Sequence, residues 1–313
     1  MRTLIVGAGG VGGYFGGRLL EAQRDVAFLV RARRAEQLAK TGLVIRSPHG
    51  NVAIPAPPTV QAANLSQHFD LILLSCKAYD LDSAIDSFAP AVGPQTAILP
   101  LLNGMRHIDV LEAKFGRDAV LGGHCLISAA LDAEGRIVHL NDTHTLTFGE
   151  RSGERSARAK DILAELTSAR FNTALSDSIV GEMWEKWVFI ATLAGMTCLM
   201  RASLGDIIAA GGVDLSLTLL NECVAIAQDA GYTPRDAAIQ RIHSTVTNVS
   251  STLAASMLRD IERGAQTEVE QILGDLLRRQ TRAGNERSLL RLAYTHIKAY
   301  EARQARESAK GSN

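Results

Sequence analysis

The sequence predicts two domains, an α/β domain with a parallel sheet over residues 1–178 and an all-α domain over residues 179–313. In the first half, short continuous apolar runs alternate with helical segments, which is typical of a parallel sheet covered on both faces. After residue 178 the strand-like runs stop, and the remaining segments have helical periodicity. A length of 313 residues also indicates two domains.

Apolar runs and turn residues place the elements of the first domain. They predict a helix over 13–22, and strands over 4–6, 26–30, 71–74 and 97–102. Pro100 in the last of these strands indicates either a position at the edge of the sheet or an early end of the strand. Three antiparallel strands, at 119–131, 136–140 and 145–149, are expected to complete the same sheet, followed by a helix over 151–169 and a strand over 172–175. Helices are predicted in the second domain over 180–200, 213–231, 235–263 and 267–283.

Composition and charge exclude several classes of protein. Apolar residues make up 46% of the chain, which excludes a disordered protein. The 33 basic residues balance the 33 acidic ones, so no overall field favours nucleic acid or an anionic membrane as a partner. The longest apolar stretch, 188–200, is shorter than the ~20 residues that a membrane span needs.

The cysteines and the N-terminus predict a cytoplasmic protein. No CxxC pair occurs, so neither a zinc ribbon nor a dithiol site is indicated, and no metal site is predicted. The cysteines lie in apolar segments, as reduced thiols do in a reducing compartment. The N-terminus lacks the long apolar core of a signal peptide. The four cysteines are Cys76, Cys125, Cys198 and Cys223.

A glycine-rich loop follows the first predicted strand. Gly7, Gly9 and Gly12 form the pattern GxGxxG, with Gly10 and Val11 inside it, and a helix begins there. In this context the motif indicates dinucleotide binding, because glycines let the backbone approach a pyrophosphate and the helix N-terminus offers free N–H groups. A glycine-rich turn without a ligand is the alternative.

The residue after the second strand indicates which dinucleotide is bound. NAD-binding domains usually have Asp or Glu there to accept the ribose 2′-hydroxyl, whereas this chain has Arg31, followed by Arg33 and Arg34. A guanidinium suits a 2′-phosphate in charge and geometry, so we expect NADP(H), with Arg31 as the first candidate. The alternative is a solvated basic start of a helix.

Two further residues follow strands at the same predicted edge of the sheet. Lys77 comes after the strand at 71–74, and Asn103 comes after the strand at 97–102. Ligands of parallel α/β sheets bind along the carboxyl edge, so both residues are candidates for binding the cofactor. A surface lysine and a turn residue before Gly104 are the alternative interpretations.

Lys186 stands where a helix passes from polar to apolar residues. The positions four and eight residues later are Ile190 and Ala194, and no charged residue follows until Arg201. A lysine at such a margin is partly desolvated, which favours a role as general acid. The alternative is an exposed ion pair with Glu182.

The helical half has two more polar candidates. Thr267 and Glu270 match a capping box, which places Glu268 in the first turn of a helix, where its charge favours the helix dipole. This capping interpretation accounts for Glu268 without a ligand. Ser256 is expected in the middle of a helix, either exposed or bonded to the backbone unless a ligand uses it.

With these residues together, the sequence resembles the ketopantoate reductase (2-dehydropantoate 2-reductase) family over nearly its whole length. The resemblance depends on Gly7–Gly12, Arg31, Lys77, the Asn103-Gly104-Met105 motif, the Trp184-Glu185-Lys186 motif, and Ser256 through Glu268. It implies a Rossmann-type first domain, a helical domain that binds substrate, and NADPH as cofactor. The reaction would reduce the C2 ketone of a 2-oxo acid, as in pantothenate biosynthesis.

The resemblance also implies roles for single residues. Lys186 matches the catalytic lysine, and Glu268 matches a glutamate that holds this lysine and a substrate hydroxyl. Ser256 matches a serine that contacts the substrate carboxylate. Asn103 matches a position that lines both the cofactor and the substrate. In the same way, Lys77 matches a cofactor-lining residue and Arg31 the residue that binds the 2′-phosphate.

The chain departs from the family at two positions. Well-characterised members have Asn four and eight residues after the lysine, where this chain has Ile190 and Ala194. A site that has lost such groups discriminates less well for a hydroxylated substrate. Another 2-oxo acid or carbonyl is therefore the alternative substrate, and a non-enzymatic NADP(H) sensor is the alternative function. The resemblance allows a homodimer.

Overall fold

The structure, a computed structural model, describes residues 1–281 and 288–311. The chain folds as two compact units. The first contains Met1–Leu102 and His107–Val180, and the second contains Asn103–Arg106 and the chain from Gly181 onward. The main boundary between the units follows Val180, whereas the sequence predicts a boundary after residue 178. The short segment Asn103–Arg106 groups with the helical unit.

Strands occur in the first unit. In chain order they are β1 (Arg2–Val6), β2 (Asp25–Leu29), β3 (Leu43–Arg46), β4 (Val52–Ile54), β5 (Thr59–Val60), β6 (Phe69–Leu74), β7 (Val92–Pro100), β8 (Gly122–Leu131), β9 (Ile137–Gly149) and β10 (Asn172–Leu175).

Helices occur in both units. Those before residue 178 are α1 (Gly10–Glu21), α2 (Ala32–Thr41), α3 (Leu81–Phe88), α4 (Arg106–Phe115) and α5 (Ala157–Thr167). Those that follow are α6 (Ile179–Met200), α7 (Leu204–Ala209), α8 (Val213–Asp229), α9 (Asp236–Val246), α10 (Ser256–Glu262), α11 (Asp275–Arg278) and α12 (Leu289–Gly311), with a π-helical turn over Glu270–Gly274. Short 3₁₀ turns lie at Ala62–Asn64, Ala78–Asp80, Ala89–Ala91 and Arg117–Ala119.

The first sheet has the strand order β5-β2-β1-β6-β7. All neighbouring strands in it are parallel. The α/β class with a parallel sheet and a following helical domain is therefore confirmed, and β7, which ends at Pro100, lies at the edge that proline predicts. Because the strands are parallel, the residues that follow β1, β2 and β6 all emerge at one edge of the sheet.

The antiparallel strands do not complete this sheet, contrary to the prediction. They form a second sheet with the order β10-β9-β3-β4, and β8 pairs with β9. The strands predicted at 136–140 and 145–149 are one continuous strand, β9. Strands β3 and β4 were not predicted, because their short apolar runs lie between turn residues and lack a strong pattern of their own.

Helix α1 packs against both sheets, and its glycines make this possible. A Cβ at Gly16 would lie 2.6 Å from the Phe28 ring of the first sheet. A Cβ at Gly17 would lie 2.7 Å from the Ile45 side chain of the second sheet. Larger side chains at these two positions would push the helix away from the sheets, since real Cβ atoms do not approach other atoms so closely.

A cluster of three histidines lies beside α1, with His139 and His144 on β9 and His49 in the turn between β3 and β4. The rings of His49 and His144 stack with centroids 3.8 Å apart, and His139 stacks 5.9 Å from His144. The Tyr14 hydroxyl is 2.7 Å from His144 Nδ1. Burial, helped by the charges of His49, His139 and Arg18, lowers the pKa of His144 to about 4. In the described part of the chain, no group of three His, Cys, Asp or Glu side chains is arranged to hold a metal ion.

Several elements of the helical unit differ from the prediction. The helix predicted over 235–263 is two helices, α9 and α10, separated by residues 247–255. Helix α12 was not predicted, although Leu290, Ala293 and Ile297 form a buried stripe at helical spacing. The helix predicted over 267–283 corresponds to the π-helical turn and α11, and its last two residues lie outside the described residues.

The capping box predicted at Thr267 and Glu270 is wrong. The Thr267 hydroxyl donates to Glu301, 2.6 Å away, and accepts a bond from the N–H of Val269 rather than from that of Glu270. Glu270 instead accepts a hydrogen bond from the Tyr294 hydroxyl and pairs with Lys298. Tertiary contacts to α12 have displaced the local capping contacts. Across residues 1–281 and 288–311, none of the helices is both long enough and apolar enough for a bilayer crossing.

The depressed pKa of His144 predicts a pH-dependent stability. Between pH 6.5 and about 4, the unfolded chain binds a proton that His144 does not bind in the folded state, so stability falls as the pH is lowered through this range. The melting temperature should fall across this range in the wild-type protein and fall less steeply in His144→Gln. The matched control is His296→Gln, which removes an exposed histidine outside this cluster. An identical slope in His144→Gln and the wild type would contradict this account.

Candidate active site

The glycine loop lies at the carboxyl end of β1 and opens helix α1. Gly7 has a φ of +96°, a conformation that favours glycine, and its N–H donates to the carbonyl of Leu29 on the neighbouring strand. Gly9 is the N-cap of α1 and supplies no side-chain cap. The first N–H groups of the helix therefore stand at the edge of the sheet, where an anionic group can accept hydrogen bonds from them.

The glycines of this loop serve two different purposes. A Cβ at Gly10 would overlap the carbonyl oxygen of Ala129, and one at Gly12 would overlap the carbonyl of Gly7 and the hydroxyl of Ser75. Those two positions need glycine for the fold itself. At Gly9 a Cβ would meet nothing within 4 Å, and its φ of −83° suits any residue. The fold does not require glycine there, so Gly9 leaves open a space that a pyrophosphate can enter, and the loop fits a dinucleotide.

Arg34 braces the glycine loop, a role that the sequence analysis did not foresee. Its Nε donates to the carbonyl of Ala8 at 3.0 Å, and its Nη1 donates to the carbonyl of Gly135 at 2.9 Å. The loop is thereby tied to the turn between β8 and β9. Burial lowers the pKa of Arg34. The sequence contains a basic cluster here but no sign that one member points inward, because its partner lies 101 residues away.

Arg31 lies at the carboxyl end of β2, as predicted, and its side chain is 72% exposed. It is held by acceptors that follow β6 in the chain. Its Nη2 donates to the Asp80 carboxylate at 2.7 Å and to the Ser83 hydroxyl at 3.0 Å. The hydrogen bond and charge of Asp80 raise the pKa of Arg31. The guanidinium therefore lies at the carboxyl edge of the sheet, beside a carboxylate that was not singled out from the sequence.

Lys77 lies on the segment that joins β6 to α3. The Ser75 hydroxyl at the start of this segment donates to the carbonyls of Val6 and Gly7, at 3.0 and 3.2 Å. The segment is thus fastened to the glycine loop. Lys77 is half-buried, and its carbonyl accepts the N–H of Asp80 at 2.9 Å. The first unit therefore brings the glycine loop, Arg31 and Lys77 to one edge of its parallel sheet.

Lys186 is half-buried on α6, between two residues that are rigidly held. The Glu185 carboxylate accepts hydrogen bonds from Nε and Nη2 of Arg235, at 2.7 and 2.6 Å. The buried Trp187 donates from Nε1 to the carbonyl of Ile272 at 2.9 Å. Glu182, the alternative ion-pair partner for Lys186, lies 3.6 Å from Arg235. The backbone that carries Lys186 is therefore fixed on both sides.

The π-helical turn over Glu270–Gly274 gathers the other candidates of the second unit. Gln271 donates from its side chain to the carbonyl of Asn103, 2.9 Å away. The N–H groups of Gln271 and Ile272 donate to the carbonyl of Glu268, which is buried at 9% exposure. Ile272 also accepts the Trp187 bond, so the turn connects the segments that carry Asn103, Lys186 and Glu268. Such turns occur frequently at functional sites.

Ser256 is the first residue of α10 and is exposed, so the prediction of a serine in the middle of a helix is wrong. Its backbone N–H lies in the first turn of this helix. Ile190 is half-buried and Ala194 is 2% exposed, on the turns of α6 that follow Lys186. The lysine side of this helix therefore presents apolar groups at the two positions where the resemblance implies amides.

Comparison with known proteins covers both units. Residues 3–153 match the family model described as "Ketopantoate reductase PanE/ApbA". Residues 178–301 match the model of its C-terminal domain. An uncharacterised oxidoreductase of Bacillus subtilis, YkpB, is 39% identical over 303 residues, which is 96% of this chain and 99% of the relative. A 2-dehydropantoate 2-reductase of Mesorhizobium japonicum is 26% identical and covers 87% of this chain and 89% of its own.

Solved structures show the same two-domain fold. A 2-dehydropantoate 2-reductase from Methylococcus capsulatus superposes with a TM-score of 0.83 at 25% identity, covering 97% of this chain and 98% of its own. A D-mandelate dehydrogenase, in a complex with NADH and anilino(oxo)acetate, superposes with a TM-score of 0.87 at 21% identity, covering 97% and 100%. With both family models matched in order along the sequence, this chain belongs to the ketopantoate reductase family of oxidoreductases.

Proposed function

We propose that this protein reduces the C2 ketone of a 2-oxo acid with NADPH, and that the first candidate reaction is 2-dehydropantoate to pantoate, a step of pantothenate biosynthesis. The observation that carries the proposal is the glycine loop at the carboxyl edge of the parallel sheet, where a Cβ at Gly9 would meet nothing within 4 Å and a pyrophosphate has room to approach the backbone. The family and its 2-dehydropantoate 2-reductase relatives support the reaction class.

The first unit supplies the cofactor site in this proposal. The N–H groups at the start of α1 bind the pyrophosphate, and the residues from Gly7 to Gly12, Val11 included, let it approach the backbone. Arg31 binds the 2′-phosphate through its guanidinium. Lys77 of this unit lines the cofactor, while Asn103, which groups with the second unit, is assigned to both cofactor and substrate. When bound, the nicotinamide supplies the hydride for the carbonyl carbon.

The second unit supplies the acid and the substrate contacts. The Lys186 Nζ donates a proton to the carbonyl oxygen as the alkoxide forms, and its positive charge stabilises the charge that grows there. This charge is absent from the ground-state ketone, so the lysine stabilises the transition state more than the substrate. Glu268 orients the lysine and a substrate hydroxyl, while the Ser256 hydroxyl binds the substrate carboxylate.

Ile190 and Ala194 favour a second candidate, another 2-oxo acid with a less hydroxylated side chain. Their apolar side chains cannot hydrogen-bond a substrate hydroxyl, so a hydroxylated substrate gains no binding energy from these two positions. The D-mandelate dehydrogenase that has the same fold, solved with NADH and anilino(oxo)acetate, supports this alternative substrate class. It also makes NADH an alternative cofactor.

A panel of 2-oxo acids tests the reaction and separates the two substrates. Oxidation of NADPH should be measured with ketopantoate and with aliphatic and aromatic 2-oxo acids that lack its hydroxyl. The proposal predicts activity with at least one member. A kcat/KM for ketopantoate above that of the other acids supports the first candidate, and the reverse order supports the second. No oxidation with any member, in a protein that binds NADPH, would favour the non-enzymatic sensor.

Lys186→Ala tests the mechanism with the best substrate of this panel. Loss of the general acid should lower kcat by about 10²–10⁴-fold while NADPH affinity stays within about twofold, because the lysine acts on the substrate oxygen. Lys186→Arg is the matched control, since it keeps the charge but cannot release a proton at neutral pH, and it should also be slow. Steady-state kinetics and NADPH fluorescence titration provide the two readouts. Full kcat in Lys186→Ala would contradict the mechanism.

A further inference from the structure

The carboxylate of Asp80 is used in an unusual way. Asp80 is the N-cap residue of α3, a position where an aspartate ordinarily accepts a hydrogen bond from its own helix. Here the side chain makes no capping bond. It reaches instead to Arg31, 49 residues earlier in the chain, at 2.7 Å. The contact that replaces the cap indicates that this carboxylate is placed against the guanidinium rather than for the helix.

The charge of Asp80 opposes the ligand that Arg31 is suited to bind. A 2′-phosphate has a charge of about −1.5 to −2, and one that contacts Arg31 comes within a Debye length of Asp80. Asp80 is 32% exposed and Arg31 72% exposed, so solvent screens this repulsion without removing it. The phosphate must also compete with Asp80 for the Nη2 hydrogens. A neutral ribose hydroxyl, as in NADH, meets neither penalty.

We propose that Asp80 is a specificity-determining residue, which lowers the preference for NADPH over NADH by holding Arg31 and repelling the 2′-phosphate. The inference rests on the proposed function, because it needs a dinucleotide in the glycine loop. It departs from the simpler expectation that an arginine after β2 alone determines the choice of cofactor. The Asp80 carboxylate lies on the segment after β6 and Arg31 lies after β2, so residues at the ends of two strands together determine the preference for NADPH or NADH.

Dissociation constants for NADPH and NADH, from fluorescence titration of the apoprotein, test this inference. Asp80→Asn keeps the shape of the side chain and removes its charge. It should tighten NADPH binding by about 3- to 10-fold and change NADH binding by less than about twofold. Asp82→Asn is the matched control, because it removes an exposed carboxylate two residues away on α3 and should leave the NADPH-to-NADH ratio unchanged.

The same substitution in an Arg31→Ala background shows whether Asp80 acts through Arg31. The effect on the ratio should then be smaller than in the wild type, since coupled residues are not additive. An equal effect in both backgrounds, or weaker or unchanged NADPH binding in Asp80→Asn, would overturn the inference while dinucleotide binding itself stands. A wild-type protein that binds neither NADPH nor NADH would overturn the proposed function instead.

Discussion

The close approach of helix α1 to its surroundings is the constraint on which the first unit depends. Glycines at 16 and 17 let the helix lie directly on both sheets, and glycines at 10 and 12 let its first turn pass the backbone of β8 and the end of β1. These contacts fix the helix N-terminus at the carboxyl edge of the parallel sheet. Because its free N–H groups are then held in place by packing, an anion can bind there without a large ordering cost.

Charged groups in both units are held by contacts made far along the chain. Arg34 is bonded to the carbonyls of Ala8 and Gly135, and Arg31 is bonded to Asp80. In the helical unit, Arg235 donates a hydrogen bond to the carboxylate of Glu185, the residue before Lys186. These contacts fix the position of each charged group before a ligand binds. Such preorganisation is what electrostatic stabilisation of a transition state requires.

The sequence carried the fold class, the glycine loop and Arg31 because each follows from local patterns: apolar runs, glycine spacing and the residue after a strand. The second sheet could not be predicted from the sequence, because β9 pairs with β3 and β10, which lie far from it in the chain. The capping box failed for the same reason, as Glu270 is drawn to α12. The contacts of Asp80 and Arg34 were not predicted, because both side chains bond to residues far away in the chain. Helix α12 was not predicted either, although its buried stripe has helical spacing.

The central claim, that a dinucleotide occupies the glycine loop, is tested most directly at Gly9. Gly9→Ala should leave the protein folded, because a Cβ at this position meets nothing within 4 Å, but it should raise the Kd for NADPH by roughly 10-fold or more by entering the space of the pyrophosphate. Gly181→Ala, at another glycine with open space, should leave that Kd unchanged. NADPH binding by folded Gly9→Ala with the wild-type Kd would contradict the account.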